Sequence, residues 1–301
     1  MQPDFRRGLL GLTILAFSFG AAAALAQGPA DVETVLARVG ERVGEYYRRA
    51  QNVMCLEKFT VQPIGASNFG VDGLARITES ELRIETDPGD GDGGAGEAKV
   101  VRVIRKINGR VPREREKDKK DRSGCTDPNP LSPEPLAFLL PAHRSEYTFT
   151  LAGRGKGKER ELLLLDYKSV AVRQTAELIE AENGRDDCYE SKGDIPSRGR
   201  VWIDADSFDV MRVEEHLVGP VDFRVSERIR RRRNIDAFMV IERMDRTIKF
   251  KKIAFNDPDE VMLLPESIDQ LSLWRGGMQS TRRSHTFTDY RRFVTGARLV
   301  K

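Results

Sequence analysis

The sequence predicts an α+β fold: a strongly curved antiparallel sheet of about ten strands, an incomplete or half β-barrel, with an N-terminal helix and a short apolar helix over its concave face. Apolar residues within 30–49 recur at intervals of three and four, which is the helical period. From Tyr147 onward polar and apolar residues mostly alternate between short turns, as in an antiparallel meander. Residues 162–165 and 261–264 are continuously apolar, which predicts that both sheet faces are covered there. A closed barrel filled by its own side chains is the alternative.

The composition excludes several classes of protein. The chain has 301 residues, of which 39% are hydrophobic and 32% are charged. That balance is too apolar for a disordered chain and too polar for a protein with several membrane spans. With 50 basic and 47 acidic side chains the net charge is only +3, which is not typical of a nucleic-acid-binding protein. We therefore expect a globular protein that binds no nucleic acid.

The first 26 residues are typical of a cleaved secretory signal peptide. Two arginines near the start precede a long apolar stretch, which ends in an A-x-A pattern at Ala26. A membrane anchor is the alternative, but the apolar run is a little short to span a bilayer. We expect cleavage after Ala26 and export of a soluble chain to the periplasm. The mature protein is then one domain over residues 27–301.

The remaining elements follow from the spacing of apolar residues. The helix over 30–49 has Asp31 as its N-cap, and a short apolar helix is expected over 133–141, between flanking prolines. The predicted strands cover residues 56–62, 77–84, 100–107, 146–152, 160–168, 170–182, 199–204, 208–217, 221–230, 237–255, 261–274 and 278–293. Loop insertions are expected near residues 85–98, 112–130 and 183–198.

Three cysteines are present, and an oxidising compartment permits one disulfide among them. Cys125 and Cys188 lie in segments that are typical of loops. Cys55 lies in an apolar segment that is typical of a protein core. We predict a Cys125–Cys188 disulfide and a buried, reduced Cys55, although the sequence does not determine the pairing.

No arrangement of residues predicts catalysis or metal binding. His143, His216 and His285 lie far apart and have no neighbour at metal-ligand spacing. Residues 204–209 resemble the start of a calcium-binding loop, but Phe208 stands where an oxygen ligand is needed. The chain has no Gly-x-Ser-x-Gly motif. We therefore expect a protein without cofactor or metal that is not an enzyme.

One cluster of positive charge stands out, formed by Arg228, Arg230, Arg231, Arg232 and Arg233. Guanidinium groups match the geometry of phosphate, so the cluster is a candidate patch for an anionic partner such as a lipid head group. The alternative is a solvated hairpin end that keeps a sheet edge from pairing with other chains.

Four short motifs resemble one known family. They are GRVWID at 199–204, VMRVE at 210–214, LPESI at 264–268 and FTDYRRF at 287–293. The first two resemble a hairpin of the LolA/LolB-type outer-membrane lipoprotein carriers, and the last two resemble later strands of that superfamily. The resemblance implies an incomplete barrel whose hydrophobic concavity is closed by helices and holds an acyl chain or a lipidated peptide. Related folds instead sense envelope stress by binding a membrane regulator.

The resulting hypothesis is a periplasmic, non-enzymatic carrier or binding protein for a lipid, an acyl chain or a lipidated peptide. The residues predicted to line its cavity or lid are Phe138, Leu139, Leu140, Leu163 and Trp202. The alternative is an envelope interaction or stress-sensing module that binds a protein partner and carries no lipid. Peripheral contact with a membrane is compatible with both hypotheses.

Overall fold

Three helices and thirteen strands make up the described part of this protein. The computed structural model describes residues 31–49, 53–65, 74–86, 98–112, 134–157, 160–170, 175–180, 189–192, 195–256, 259–276 and 278–292. No helix within these ranges is long and apolar enough to cross a membrane. The predicted signal peptide and both cysteines of the predicted disulfide lie outside the described residues.

The helices differ in length and in their reason for forming. Helix α1 (Val32–Arg49) presents one apolar stripe at three- and four-residue spacing, and this stripe is buried. Helix α2 (Glu134–Ala137) has a single turn and is followed by turns and a 3₁₀ turn (Arg144–Glu146). Helix α3 (Glu227–Arg233) was predicted to be the end of a strand.

The thirteen described strands are numbered in chain order. They are β1 (Val53–Ile64), β2 (Arg76–Thr86), β3 (Ala98–Ile107), β4 (Tyr147–Lys156), β5 (Glu161–Ser169), β6 (Thr175–Glu180), β7 (Tyr189–Lys192), β8 (Ser197–Asp204), β9 (Val210–Leu217), β10 (Val221–Val225), β11 (Phe238–Asn256), β12 (Asp259–Arg275) and β13 (Ser280–Arg292).

All thirteen strands belong to one curved sheet. Its main path runs β3-β2-β1-β13-β12-β11-β9-β8-β5-β4, while β10 pairs with β11 and β6, and β6 pairs with β7. Every pair is antiparallel except β6 with β10. Among the described strands β3 and β4 do not pair with each other, so the sheet is open and the predicted incomplete barrel is confirmed.

Two predicted strands need correction. The strand predicted over 221–230 ends at Val225, because the Ser226 hydroxyl accepts a hydrogen bond from the Ile229 amide and caps α3. Asn234, in the left-handed conformation, ends the helix. Within the strand predicted over 170–182, β6 occupies Thr175–Glu180 and residues 171–174 and 181–182 lie outside the described residues, while the insertion predicted near 183–198 contains β7.

The core is divided among several groups of side chains. One group joins β6, β10, the start of β11 and α3, with Ile229 of α3 completely buried. A second joins Val53 of β1 to Phe255, Met262 and Leu264, and Tyr46 of α1 packs against it. Helix α1 therefore covers the end of the sheet where β1, β11 and β12 meet.

Candidate ligand-binding site

One face of the sheet, here called the inner face, lies under α1 and α2. The register of the pairs aligns a transverse row of side chains on this face from β5 to β1. The row consists of Leu165, Val201, Val213, Ile248, Ile268, His285 and Phe59. All of them are buried except Ile268, which is partly buried. The inner face is thus a continuous, mostly apolar surface.

Residues 134–146, here called the cover segment, close part of this surface. Leu139 is 0% exposed and Leu136 is 2% exposed. The Phe138 ring packs on the Tyr167 ring of β5 with their centroids 4.4 Å apart, and on Tyr147 at 5.5 Å. The cover segment therefore contacts the sheet through a few large side chains rather than through a long helix.

Arg144 ties the cover segment to α1. Its Nε donates to the carbonyl oxygen of Leu139 over 3.1 Å, and its Nη2 donates to the carbonyl oxygen of Leu36 in α1. The contact depends on Gly40, because a Cβ there would lie 2.1 Å from Arg144 Nη2 and 3.1 Å from the Leu139 carbonyl oxygen. By contrast, a Cβ on Gly44 would meet no atom within 4 Å.

Two cavities lie beside the cover segment. The first has a volume of about 210 Å³ and is lined by Arg42, Val43, Glu45, Tyr46, Arg49, Leu136, Asp209, Val210, Lys252, Val261, Met262 and Leu263. The second has a volume of about 180 Å³ and is lined by Pro135, Ala137, Phe138, His143, Glu146, Tyr147, Tyr167, Val213, Glu215, Arg246 and Ile248. Helix α2 contributes to both linings, so its displacement would enlarge the space available on the inner face.

The rim of the first cavity is ionic and internally paired. Arg42 Nη2 lies 2.9 Å from Asp209 Oδ1, and Lys252 Nζ lies 3.0 Å from Asp209 Oδ2. Burial alone would raise the pKa of the Asp209 carboxyl, but hydrogen bonds from Ser207, Lys252 and Arg42 hold it below its ordinary value. The carboxylate therefore stays charged, and the rim combines an apolar floor with fixed charges.

A second ionic group lies fully inside, and we call it the Glu57 cluster. Glu57 of β1 is 1% exposed, and its carboxylate accepts from Arg102 Nε over 2.6 Å and from His285 Nδ1 over 2.8 Å. Burial would raise the pKa of Glu57, but the bonds from His285 and the charge of Arg102 hold it below its ordinary value. The cluster shares the inner face with the apolar row.

Cys55 lies beside this cluster and is free, with 1% exposure. Burial, reinforced by the Glu57 carboxylate, raises the pKa of its thiol to about 12. A thiol that stays protonated at neutral pH is a poor nucleophile, so Cys55 acts as a packed core residue.

The residues predicted to form a cavity or lid are not all on one side of the sheet. Phe138 and Leu139 are buried in the cover segment, with the partly buried Leu140 beside them, and Leu163 is buried on the inner face of β5. Trp202 pairs in register with Leu164, the neighbour of Leu163, so it lies on the opposite face. There the Arg212 guanidinium packs over its ring at 4.6 Å. Trp202 and Leu163 therefore do not line the same cavity.

The predicted anionic-partner patch lies entirely on α3. Arg228, Arg230 and Arg231 are exposed, and the side chains of Arg232 and Arg233 lie outside the described set. Arg231 forms an ion pair with Glu227, one helical turn before it. Ile229 is buried in the core and fixes α3 against the sheet, so the exposed arginines have a defined position on the surface.

Each histidine has a carboxylate partner that the sequence analysis did not find. His143 Nδ1 lies 2.9 Å from Glu146 Oε1, and His216 Nδ1 lies 2.7 Å from Asp245 Oδ1. Within the described ranges no group of His, Cys, Asp and Glu is arranged to hold a metal ion. The sequence analysis did not find the Glu57 cluster, although one local pattern pointed to it. Glu57 alternates in phase with the apolar Cys55 and Phe59 along β1, which predicts that its side chain faces the core.

Comparison with known proteins finds similarity only among solved structures. No family model matches the chain, and no curated protein matches its sequence. A DUF1329 family protein from Desulfovibrio piger is 10% identical with a TM-score of 0.43, and the match covers 89% of this chain and 96% of that one. A putative outer membrane lipoprotein-sorting protein domain from Vibrio parahaemolyticus is 10% identical with a TM-score of 0.33, covering 87% and 95%. A LolA superfamily protein from Nitrosomonas europaea is 9% identical with a TM-score of 0.32, covering 87% and 94%. All three TM-scores lie below 0.5.

Proposed function

We propose that this protein is a non-enzymatic binding or carrier protein of the cell envelope, which holds an acyl chain or a lipidated peptide against the inner face of its sheet. The observation that carries the proposal is the cover segment, with a cavity on each side of α2 and an apolar row beneath it. A cavity of about 210 Å³ holds part of an acyl chain. A longer chain requires the cover segment to move.

The construction of the cover segment supports such a movement. Helix α2 is only four residues long, and among its described bonds Arg144 attaches the segment to α1 through the carbonyl oxygen of Leu36, and to Leu139 within the segment, rather than through a carboxylate. Breaking these bonds exposes polar groups that water can satisfy. The apolar gain from ligand then offsets the lost packing, since each buried CH₂ contributes about 0.8 kcal/mol.

The test is native mass spectrometry of the protein expressed in a periplasm and purified without detergent, before and after organic extraction. We expect a discrete adduct that extraction removes. A measured mass equal to that of the protein alone, together with no uptake of added fatty-acid probes, would contradict the carrier function. The variant Leu139→Asp is expected to lose uptake, while Leu56→Asp, at an exposed position, serves as the matched control.

A second variant keeps this test decisive if Leu139→Asp does not fold. Arg144→Ala removes the two hydrogen bonds from the guanidinium without placing a charge in the core. It is expected to accelerate uptake of a fatty-acid probe, because the cover segment opens more often. An unchanged uptake rate would show that the cover segment is not the entrance.

Export is the second part of the proposal. The basic start, apolar run and A-x-A ending predict a mature chain that begins at Gln27. N-terminal sequencing of the protein recovered from the periplasm tests it directly. An intact N-terminus in the membrane fraction would instead indicate an anchored protein.

A competing function is supported by the close packing of the same inner face. The buried side chains of α1 and the cover segment already occupy much of the space, with Val35, Val39 and Leu139 all 0% exposed. In this case the protein docks an anionic envelope partner through Arg228, Arg230, Arg231, Arg232 and Arg233, and carries no lipid. A bare native mass combined with capture of one envelope protein, lost on substituting these arginines with glutamate, would favour this alternative.

A further inference from the structure

A polar row crosses the inner face next to the apolar row. Gln270 of β12 pairs in register with Arg246 of β11 on one side and with Arg283 of β13 on the other. We call these three residues the arginine row. Because paired residues of an antiparallel sheet share a face, both guanidinium groups lie on the inner face with Gln270 between them. The two strands are about 10 Å apart, a span that two arginine side chains bridge.

Arg283 has no partner among the described residues. Its Nε is buried without a hydrogen-bond acceptor, and no described carboxylate lies within ion-pair distance of the guanidinium. Burial lowers the pKa of the Arg283 guanidinium. A partly buried charge without a counter-ion destabilises a protein. Such a residue is therefore a candidate for binding a ligand that supplies the counter-ion.

Arg246 has an acceptor for only part of its guanidinium group. Its Nη2 donates to Glu215, its register partner on β9, but its Nε is buried without an acceptor. Gln270 uses one amide hydrogen to reach Ser272 Oγ at 3.1 Å, which leaves its second amide hydrogen available. The row therefore places two buried N–H donors without an acceptor, Arg246 Nε and Arg283 Nε, on either side of Gln270.

The neighbouring Glu57 cluster shows that this arrangement is not a general habit of the inner face. There Arg102 delivers both Nε and Nη2 to one carboxylate, at 2.6 Å and 3.1 Å. Among the described residues a buried acid lies beside Arg102 and none beside Arg283, which lies two residues before His285 on the same strand and the same face.

We infer that the arginine row binds the acidic oxygen group of a ligand, a carboxylate or a phosphate, whose apolar part enters the second cavity. Arg246 lines that cavity together with Phe138, Val213 and Ile248, so one end of the arginine row lies at its apolar wall. Guanidinium groups bind carboxylate and phosphate oxygens strongly when water is excluded. This inference rests on the proposed binding function and specifies an anionic amphiphile as its ligand.

The experiment compares three probes by titration calorimetry: dodecanoate, dodecanol and inorganic phosphate. Each is tested on the unchanged protein, on Arg283→Met, and on Arg282→Met as the matched control. Arg282 is adjacent in sequence but exposed on the other face. Thermal unfolding of Arg283→Met is expected at the same or a higher temperature, because the substitution removes an unpaired charge while it keeps the apolar stem.

We expect dodecanoate to bind at least about tenfold more weakly to Arg283→Met, the loss of one charged hydrogen bond, and Arg282→Met to bind normally. Dodecanol should bind equally to all three proteins. Equal binding of dodecanoate to all three would overturn the anion site while leaving the carrier function intact. Binding of phosphate alone, weakened by Arg283→Met, would keep the anion site and overturn the amphiphile. No binding of any probe would overturn both.

Discussion

The Glu57 cluster and the arginine row lie side by side on the inner face, yet only the first satisfies its own charges. Glu57 receives hydrogen bonds from Arg102 and His285, whereas Arg283 faces no described carboxylate. Both groups bring together side chains from different strands of the same sheet: the row joins register partners, and the cluster joins Glu57 of β1 with His285 of β13 and Arg102 of β3. The cluster therefore balances its own charges, whereas the role proposed for the row is to bind the acidic group of a ligand.

The same contrast separates buried from exposed ion pairs. Glu81 of β2 also contacts two arginines, Arg83 at 2.7 Å and Arg105 at 2.8 Å, but both arginines are exposed. Water screens these charges and competes for their hydrogen bonds, so such pairs contribute little. Glu57, without access to water, depends wholly on its partners.

The largest effect is expected for Glu57→Gln. The amide no longer balances Arg102 and His285, and breaking a buried ionic group typically lowers stability by about 3–5 kcal/mol. The matched variant Glu81→Gln should lower the free energy of unfolding by about 1 kcal/mol or less. Urea unfolding of both variants measures the difference, and equal losses would show that the buried cluster has no special role.

The pH dependence of stability tests the lowered pKa of Glu57. The pKa of Glu57 is lower in the folded chain than in the unfolded one, so its contribution is complete above about pH 4.3, the ordinary value. It is lost as pH falls through the folded pKa. Urea midpoints measured from pH 7 downward should therefore fall less steeply in Glu57→Gln. Parallel curves for the two proteins would contradict the assignment.

A smaller effect is expected where α1 meets the cover segment. Gly40→Ala should reduce stability by about 1–3 kcal/mol, since the added methyl displaces Arg144 and the Leu139 carbonyl. Gly44→Ala, on the same helix with open space around it, should raise stability by up to about 1 kcal/mol. Hydrogen exchange of residues 134–146 should accelerate only in Gly40→Ala. A stabilised Gly40→Ala would mean that the contact is not tight.

The smallest effect is expected at the surface of α3. Glu227 and Arg231 form an ion pair one turn apart, with both side chains mostly exposed. Glu227→Gln should change the free energy of unfolding by only about 0.3–0.5 kcal/mol, and salt should abolish the difference. A loss comparable with that of Glu57→Gln would contradict the distinction between exposed and buried pairs.

Local spacing predicted much of the fold. Helix α1 follows from apolar residues three and four apart, and the open sheet with covering helices follows from runs such as 162–165. The continuous run did not reveal which side chains share a face, so Trp202 was grouped with Leu163 although they lie on opposite faces. The predicted strand over 221–230 took in the first part of α3, because its cap, Ser226, acts through a single hydrogen bond.

The candidate site was harder to predict because it depends on pairing between distant segments. The Glu57–His285 bond joins residues 228 positions apart, and the arginine row joins three different strands. A shift of register by one residue would move Arg283 to the outer face. The sequence showed that Glu57 lies in phase with apolar neighbours, but it did not show which strand supplies the partner.

The most direct test of the account is to locate the ligand. We would crystallise the protein with a fatty acid that carries bromine on its terminal carbon, and measure the anomalous signal of the bromine. We expect one anomalous bromine peak on the inner face beneath residues 134–146, and the carboxylate of the fatty acid at Arg283. A bromine peak on the outer face, or none in crystals that diffract well, would contradict binding in the concavity.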